Sequence, residues 1–180
     1  MIRQHKGWLC VLLLLGLAVL WVGQPLAQEA PKPGGRILDS LISEPDSLDP
    51  ARATILVSQY VLGLLYDRLI YLGKDGRPKP WLAESWTLDK GGREVTFTIR
   101  QGVTFTDGTP VDAEAVRYSL DKFLKQSKRK TDIGPLEKVE VVAPNKVRLS
   151  FARPFAAIWV ALDSSFLGIA SKAAVEKEGE

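Results

Sequence analysis

The chain has 180 residues, with 24 Lys or Arg against 21 Asp or Glu, so its formal net charge is only +3 at pH 7. This near balance argues against a nucleic-acid partner, which favours a strongly basic face. The only cysteine, Cys10, and the only histidine, His5, both lie near the N-terminus. If that segment is removed, disulfides, thiolate or imidazole metal sites and histidine-dependent acid–base chemistry are excluded.

The N-terminal segment has the layout of a secretory signal peptide. Arg3 and Lys6 precede an apolar block over residues 8–22, and a short polar exit follows. The block is shorter than the roughly 20 residues that a membrane-spanning helix needs, which favours cleavage over anchoring. We therefore predict a signal peptide over residues 1–27, cleaved after Ala27 or alternatively after Ala30. A flexible leader rich in Pro and Gly is predicted over residues 28–35.

The next segments predict a strand, a loop and a helix, in that order. Residues 36–42 alternate imperfectly between apolar and polar and predict a buried first strand. Residues 43–50 contain two prolines and three acids, which predicts a loop. Over residues 54–66, apolar side chains recur at spacings of three and four and predict an amphipathic helix. Its apolar face is predicted to contain Leu56, Val57, Tyr60, Val61, Leu64 and Leu65.

Three turn signals flanked by apolar runs predict three antiparallel hairpins. The paired runs are residues 69–72 with 79–82, 83–88 with 95–99, and 138–142 with 146–151. Val95, Phe97 and Ile99 alternate with polar residues, so one face of that strand is predicted to be buried and the other wet.

Residues 95–116 read VTFTIRQGVTFTDGTPVDAEAV, two alternating runs followed by an Asp-Gly turn and a helix start. We interpret the two runs as a core strand pair. Asp112 is placed to cap the helix, and Val111 can pack on Val116 as a hydrophobic staple. The helix is predicted to end near Lys125.

Two further helices are predicted, one short and buried over residues 155–162 and one beginning at Ala173. Helices packed on short antiparallel hairpins define an α+β fold. The helix at Ala173 has no stop signal, so we expect the chain to be a fragment.

The side chains that could act in catalysis or sugar binding are better explained by structural roles. Asp107, Asp112 and Glu114 could act as paired acids in glycoside hydrolysis, but a turn and a helix cap account for their spacing. Trp81 and Trp86 could stack on a sugar, although core packing is favoured. No metal or cofactor is predicted. These observations indicate a binding protein.

One dense basic run follows the predicted helix that begins at Asp112. We interpret it as a solvated loop rather than an anion site. It consists of Lys125, Lys128, Arg129 and Lys130.

Four segments, taken in order, resemble the family 5 extracellular solute-binding proteins, the oligopeptide, dipeptide and nickel-type receptors of ABC importers. The segments are SLDP at 47–50, LYDRL at 65–69, PWLAESW at 80–86 and TFTIRQGVTFTDGTPVDAE at 96–114. The resemblance extends from residue 36 to about 172. Thr106 and Ala115 depart mildly from the family pattern.

The resemblance implies the N-terminal part of a two-lobe, type II periplasmic binding protein. Residues 36–63 would begin the ligand-facing lobe, residues 64–170 would form an inserted subdomain, and residues 171–180 would start the truncated continuation. The protein would capture a small solute in the periplasm, close by hinge motion and dock on an inner-membrane ABC permease.

The resemblance also implies a ligand-binding segment with exposed backbone at Ala53, Thr54 and Ile55, to which a peptide could add as a strand. An alternative is that these residues only lead into the following helix. A second hypothesis for the whole protein is an exported hydrolase or adhesion domain whose active part lies beyond residue 180.

Overall fold

A computed structural model describes residues 34–89 and 91–178 of the chain. The predicted signal peptide, its cleavage bond and most of the leader lie outside the described residues. The chain divides into two units, Met1–Asp39 and Ser40–Glu180. In the first unit the described residues, 34–39, are irregular and exposed. All helices and strands described below belong to the second unit.

Six strands form two antiparallel sheets in the described part of the chain. The smaller sheet pairs β1 (Ile70–Leu72) with β2 (Pro78–Pro80). The larger sheet consists of β3 (Ala83–Leu88), β4 (Glu94–Ile99), β5 (Leu136–Ala143) and β6 (Lys146–Phe151), in the order β3-β4-β6-β5. The three predicted hairpins are therefore confirmed.

The central pairing of the larger sheet joins strands from different hairpins. β4 and β6 are antiparallel, with Val95 opposite Leu149 and Phe97 opposite Val147. All four of these side chains are buried. The alternation predicted for β4 is confirmed, because every second residue of both central strands is buried. This pairing puts the core on one face of the sheet.

Helix α2 (Ala113–Gln126) covers the sheet and packs against β5 and β6. The carboxylate of Asp112 accepts a hydrogen bond from the Ala115 amide at 2.9 Å, so the predicted N-cap is confirmed. Val111 and Val116, the predicted staple, are both buried. The helix ends where Ser127 takes up extended backbone, one residue beyond the predicted end.

Three more α-helices and two 3₁₀ helices complete the described elements. They are α1 (Leu56–Leu65), α3 (Ile158–Leu162), α4 (Lys172–Glu178) and the 3₁₀ helices Lys130–Ile133 and Ser165–Leu167. α1, α3 and α4 confirm three predicted helices. Over the described ranges, the helices are too short or too polar to cross a bilayer.

The predicted first strand over residues 36–42 is wrong. These residues are irregular, and Ile42 is 96% exposed. A strand needs a partner for its backbone groups, and none of the described strands pairs with this segment. Apolar alternation alone could not supply that partner.

The second run of residues 95–116 is not a strand either, so the predicted core strand pair is wrong. It makes a single antiparallel bridge, Thr104 to Pro110. The Phe105 amide donates to the Thr109 carbonyl and the Gly108 amide donates to the Phe105 carbonyl. These bonds close a tight turn, which is predicted correctly at Asp107-Gly108, before a ladder can form.

The predicted apolar face of α1 and the predicted core position of Trp81 also need correction, whereas the core position of Trp86 is confirmed. Helix α1 forms as predicted, but its fully buried residues are Ser58 and Leu62, whereas Leu64 on the predicted apolar face is 76% exposed. Trp86 packs on the core ring of Phe97, with centroids 6.2 Å apart, as expected.

Trp81 is not a core residue, because it is 48% exposed. Its indole Nε1 donates to Asp67 at 2.7 Å, and its ring meets Tyr71 edge to face. A Trp whose N–H needs a polar partner tends to lie at the boundary between core and solvent.

Candidate ligand-binding segment

The candidate ligand-binding segment, Ala53–Thr54–Ile55, lies directly before α1. Ala53 is buried, Thr54 is half-buried and Ile55 is exposed. Ile55 is also the N-cap position of α1, with extended backbone at φ −100° and ψ 158°, and its carbonyl accepts from the Gln59 amide. The segment therefore does lead into the helix, as the alternative interpretation holds, and it also leaves an exposed side chain at its end.

Asp46, in the preceding loop, holds the centre of the segment. Its carboxylate accepts from the Thr54 amide at 3.0 Å and from the Thr54 hydroxyl at 2.6 Å. It also accepts from the hydroxyl of buried Ser58, which in turn accepts from the Asp46 amide. These hydrogen bonds, first from Ser58 and then from Thr54, lower the pKa of Asp46 from 3.8 to about 2. Asp46 is thus ionised at neutral pH.

Asp49 anchors the other end of the loop. Its backbone carbonyl accepts from the Ala53 amide, and its carboxylate accepts from the Ala51 amide. The same carboxylate lies 2.9 Å from Nζ of Lys122, a residue of α2 whose side chain is only 8% exposed. A buried lysine needs such a partner, because an unpaired ammonium is costly away from water. This ion pair joins the loop to α2.

Arg129, which follows Thr54 by 75 positions in the sequence, also contacts the segment. Its Nη1 donates to the Thr54 carbonyl at 3.3 Å. The prediction that the basic run is solvated holds for Lys125, Lys128 and Lys130, which are exposed, whereas Arg129 is 38% exposed and its guanidinium contacts the segment. Nothing local in the sequence marks this contact, because its partner is 75 positions away.

The backbone of the segment is therefore only partly available. The Thr54 amide and carbonyl and the Ala53 amide already have partners within the chain. The Ala53 carbonyl accepts no hydrogen bond from the residues that the structure describes. Ala53 is buried, so the segment presents to a ligand mainly one exposed apolar side chain, that of Ile55.

The three carboxylates considered for catalysis all have structural partners. Asp107 accepts from Thr109 and Ser171, and these bonds, Ser171 first, lower its pKa. Asp112 caps α2, and Glu114 pairs with Arg117 at 2.7 Å. Within the described ranges, no cluster of three or more His, Cys, Asp or Glu residues is arranged to hold a metal ion. The structural interpretation of these acids is supported.

A surface hollow of about 740 Å³ lies between α2 and α4, and residues 53–55 do not line it. Five of its charged side chains form ion pairs with one another, Arg117 with Glu114 and Asp121, and Lys172 with Glu176. Exposed pairs of this kind are typical of a solvated surface. The hollow does not displace the segment as the candidate site.

The chain belongs to the bacterial extracellular solute-binding proteins of family 5, whose middle region matches residues 77–180. It is similar to the glutathione-binding protein GsiB of Salmonella paratyphi A, with 36% identity over 137 residues, which are 74% of this chain and 27% of GsiB. It is also similar to the glutathione-binding protein GsiB of Escherichia coli K12, with 30% identity over 168 residues, 92% of this chain and 33% of that protein.

Among solved structures, the murein tripeptide binding protein MppA of Escherichia coli matches with a TM-score of 0.69 and 25% identity. The match covers 76% of this chain and 30% of MppA. The chain thus spans about a third or less of the length of these relatives. The predicted fold class, an α+β part of a two-lobe periplasmic binding protein, and the predicted family are confirmed.

Proposed function

We propose that the complete protein is the extracytoplasmic solute-binding component of an ABC importer. It captures a peptide or a similar small solute in the periplasm and delivers it to an inner-membrane permease. The observation that carries this proposal is family membership combined with similarity over 92% of the chain to a glutathione-binding protein. The protein binds its solute without converting it, so it is not an enzyme.

The proposed solute class is a short peptide, with glutathione as the first compound to test. This choice rests on two similar proteins, a glutathione-binding protein and a murein tripeptide binding protein. Within the chain, Ala53, Thr54 and Ile55 are the proposed contact segment. The exposed Ile55 side chain offers an extended peptide an apolar contact there, while the Thr54 amide and carbonyl already bond Asp46 and Arg129.

The proposed organisation assigns residues 36–63 to the ligand-facing lobe and residues 64–170 to an inserted subdomain. The signal peptide over residues 1–27 would direct export, and residues 28–35 would form the leader. Ligand contacts with both lobes would favour the closed state, since a ligand shifts the equilibrium only by its difference in affinity for the two states. Residues 1–180 alone are therefore expected to bind no solute tightly.

The test is isothermal titration of glutathione into the protein expressed from its complete gene and into residues 28–180. Binding by the complete protein, with none below micromolar Kd by residues 28–180, is the expected result. If the complete protein binds neither glutathione nor any di- or tripeptide of a panel, the proposed function is wrong. Submicromolar binding by residues 28–180 would instead contradict the two-lobe requirement.

A matched pair of variants tests the segment. Asp46→Asn removes the charge that holds Thr54, and we expect it to weaken glutathione binding by about tenfold, because hydrogen bonds to a charged acceptor are stronger than those to a neutral amide. Asp75→Asn makes the same change in an exposed turn, where Asp75 accepts from the Arg77 amide. It should leave the affinity within about twofold. Equal effects of the two variants would exclude the segment from the site.

A further inference from the structure

Arg129 joins three parts of the chain that are distant in sequence. Besides the Thr54 carbonyl, its guanidinium contacts Asp132, with Nη2 to Oδ2 at 2.7 Å. Its Cζ lies 4.4 Å from the centroid of the buried Phe166 ring. One side chain thus touches the candidate ligand-binding segment, the 3₁₀ helix Lys130–Ile133 and the 3₁₀ helix Ser165–Leu167.

The shape of the guanidinium explains how it makes all three contacts. The group is planar, donates from several nitrogens in fixed directions and stacks on aromatic rings. Asp132 takes one terminal nitrogen and Phe166 supports the face, which leaves Nη1 directed at Thr54. A lysine at this position would present one compact charge and could not reproduce the arrangement.

Arg129 also breaks a packing rule. Its Nε is buried and has no hydrogen-bond partner among the residues that the structure describes. A buried N–H without a partner is unfavourable, and such local violations concentrate at functional positions. The contact with Thr54 provides a functional reason for keeping the guanidinium there.

We infer that Arg129 is a positioning residue that fixes the ligand-binding geometry of the candidate segment. The peptide unit between Thr54 and Ile55 is planar and trans, so holding the Thr54 carbonyl orients the Ile55 amide as well. Asp46 holds the preceding peptide unit through the Thr54 amide, and that unit contains the Ala53 carbonyl. Two charged side chains thus set two successive peptide planes. This role in ligand binding rests on the proposed function.

The first experiment needs no ligand. Hydrogen–deuterium exchange is measured on the unliganded complete protein for the peptide that covers residues 53–58. Arg129→Ala should speed exchange there by at least about fivefold, because the peptide plane loses its anchor. The control is Lys128→Ala, which removes the same charge from an exposed neighbour. Unchanged exchange in Arg129→Ala, or an equal increase in the control, overturns the inference.

The second experiment compares glutathione affinity in the same proteins and in Arg129→Lys. Arg129→Ala and Arg129→Lys should both weaken binding by about tenfold or more, while Lys128→Ala stays within about twofold. Wild-type affinity in Arg129→Lys would show that charge alone suffices and would overturn the positioning role.

If the wild-type protein binds no glutathione or other peptide, the proposed function fails, and the exchange experiment still decides whether Arg129 fixes the segment. If Arg129→Ala does not fold, Asp132→Asn replaces it in both experiments, because it removes the ion pair that orients the guanidinium. Faster exchange over residues 53–58 in Asp132→Asn supports the inference, and unchanged exchange overturns it.

Discussion

Helix α1 provides the sharpest test of how the chain packs, because periodicity and structure disagree about which leucine matters. Leu62 is completely buried and Leu64, two positions on, is 76% exposed. The buried side of the helix faces the 3₁₀ helix Ser165–Leu167, so closely that a Cβ on Gly63 would lie 3.1 Å from Ser165 Oγ. Replacing Leu62 with Ala should therefore leave a cavity in a tight interface.

The expected loss for Leu62→Ala is about 2–5 kcal/mol of unfolding free energy, from lost burial and the residual cavity. Leu64→Ala should change it by no more than about 0.5 kcal/mol, because that side chain is already in water. Both variants make the same change in helix propensity, which cancels in the comparison. Urea unfolding of residues 28–180, monitored by circular dichroism, measures the difference in unfolding free energy between the two variants. A larger loss for Leu64→Ala would refute the packing described for α1.

Three further predictions concern local devices. The folded-state pKa of Asp46 is lowered to about 2, so its contribution to stability is complete above about pH 4 and is lost as the pH falls toward 2. Urea unfolding at pH 2–5 should show this fall in the free energy of unfolding, and Ser58→Ala should make the fall smaller. Asp112→Ala should cost about 0.5–2 kcal/mol in thermal or urea unfolding, whereas Asp112→Asn should cost little, because Asn caps as well as Asp; equal losses would contradict the cap. Gly134→Ala should lower the free energy of unfolding more than Gly108→Ala in the same assay. Both glycines have positive φ, but only at Gly134 would a Cβ lie 2.5–2.7 Å from ring atoms of Phe155, and similar losses would argue against that contact.

Much of the fold is predictable from the sequence because its signals are local. The Asp-Gly turn, the Asp112 cap and the alternation of Val95, Phe97 and Ile99 each depend on residues within a few positions of one another. The structure confirms all three. The ordered family segments, which extend along most of the chain, predict the family correctly for the same reason.

Only the location of the candidate site, and not the partners that fix it, was predictable from the sequence. Residues 53–55 were selected by resemblance, and their role in binding a solute stays a prediction. The partners that fix them are Asp46, nearby in sequence, and Arg129, which a charge pattern assigns to solvent. A run of charged residues predicts on average that their side chains are exposed to solvent. It does not predict that one of them bonds a backbone carbonyl distant in the sequence.

The positions of the turns, caps and hairpins follow from local sequence, because their energies arise between neighbours along the chain. Long-range contacts, in contrast, determine that β4 pairs with β6, that Leu62 rather than Leu64 is buried, and that residues 36–42 do not form a strand. Each of these outcomes depends on a partner surface contributed by another part of the chain. Periodicity shows that a face can be buried, and only the presence of a covering element determines whether it is.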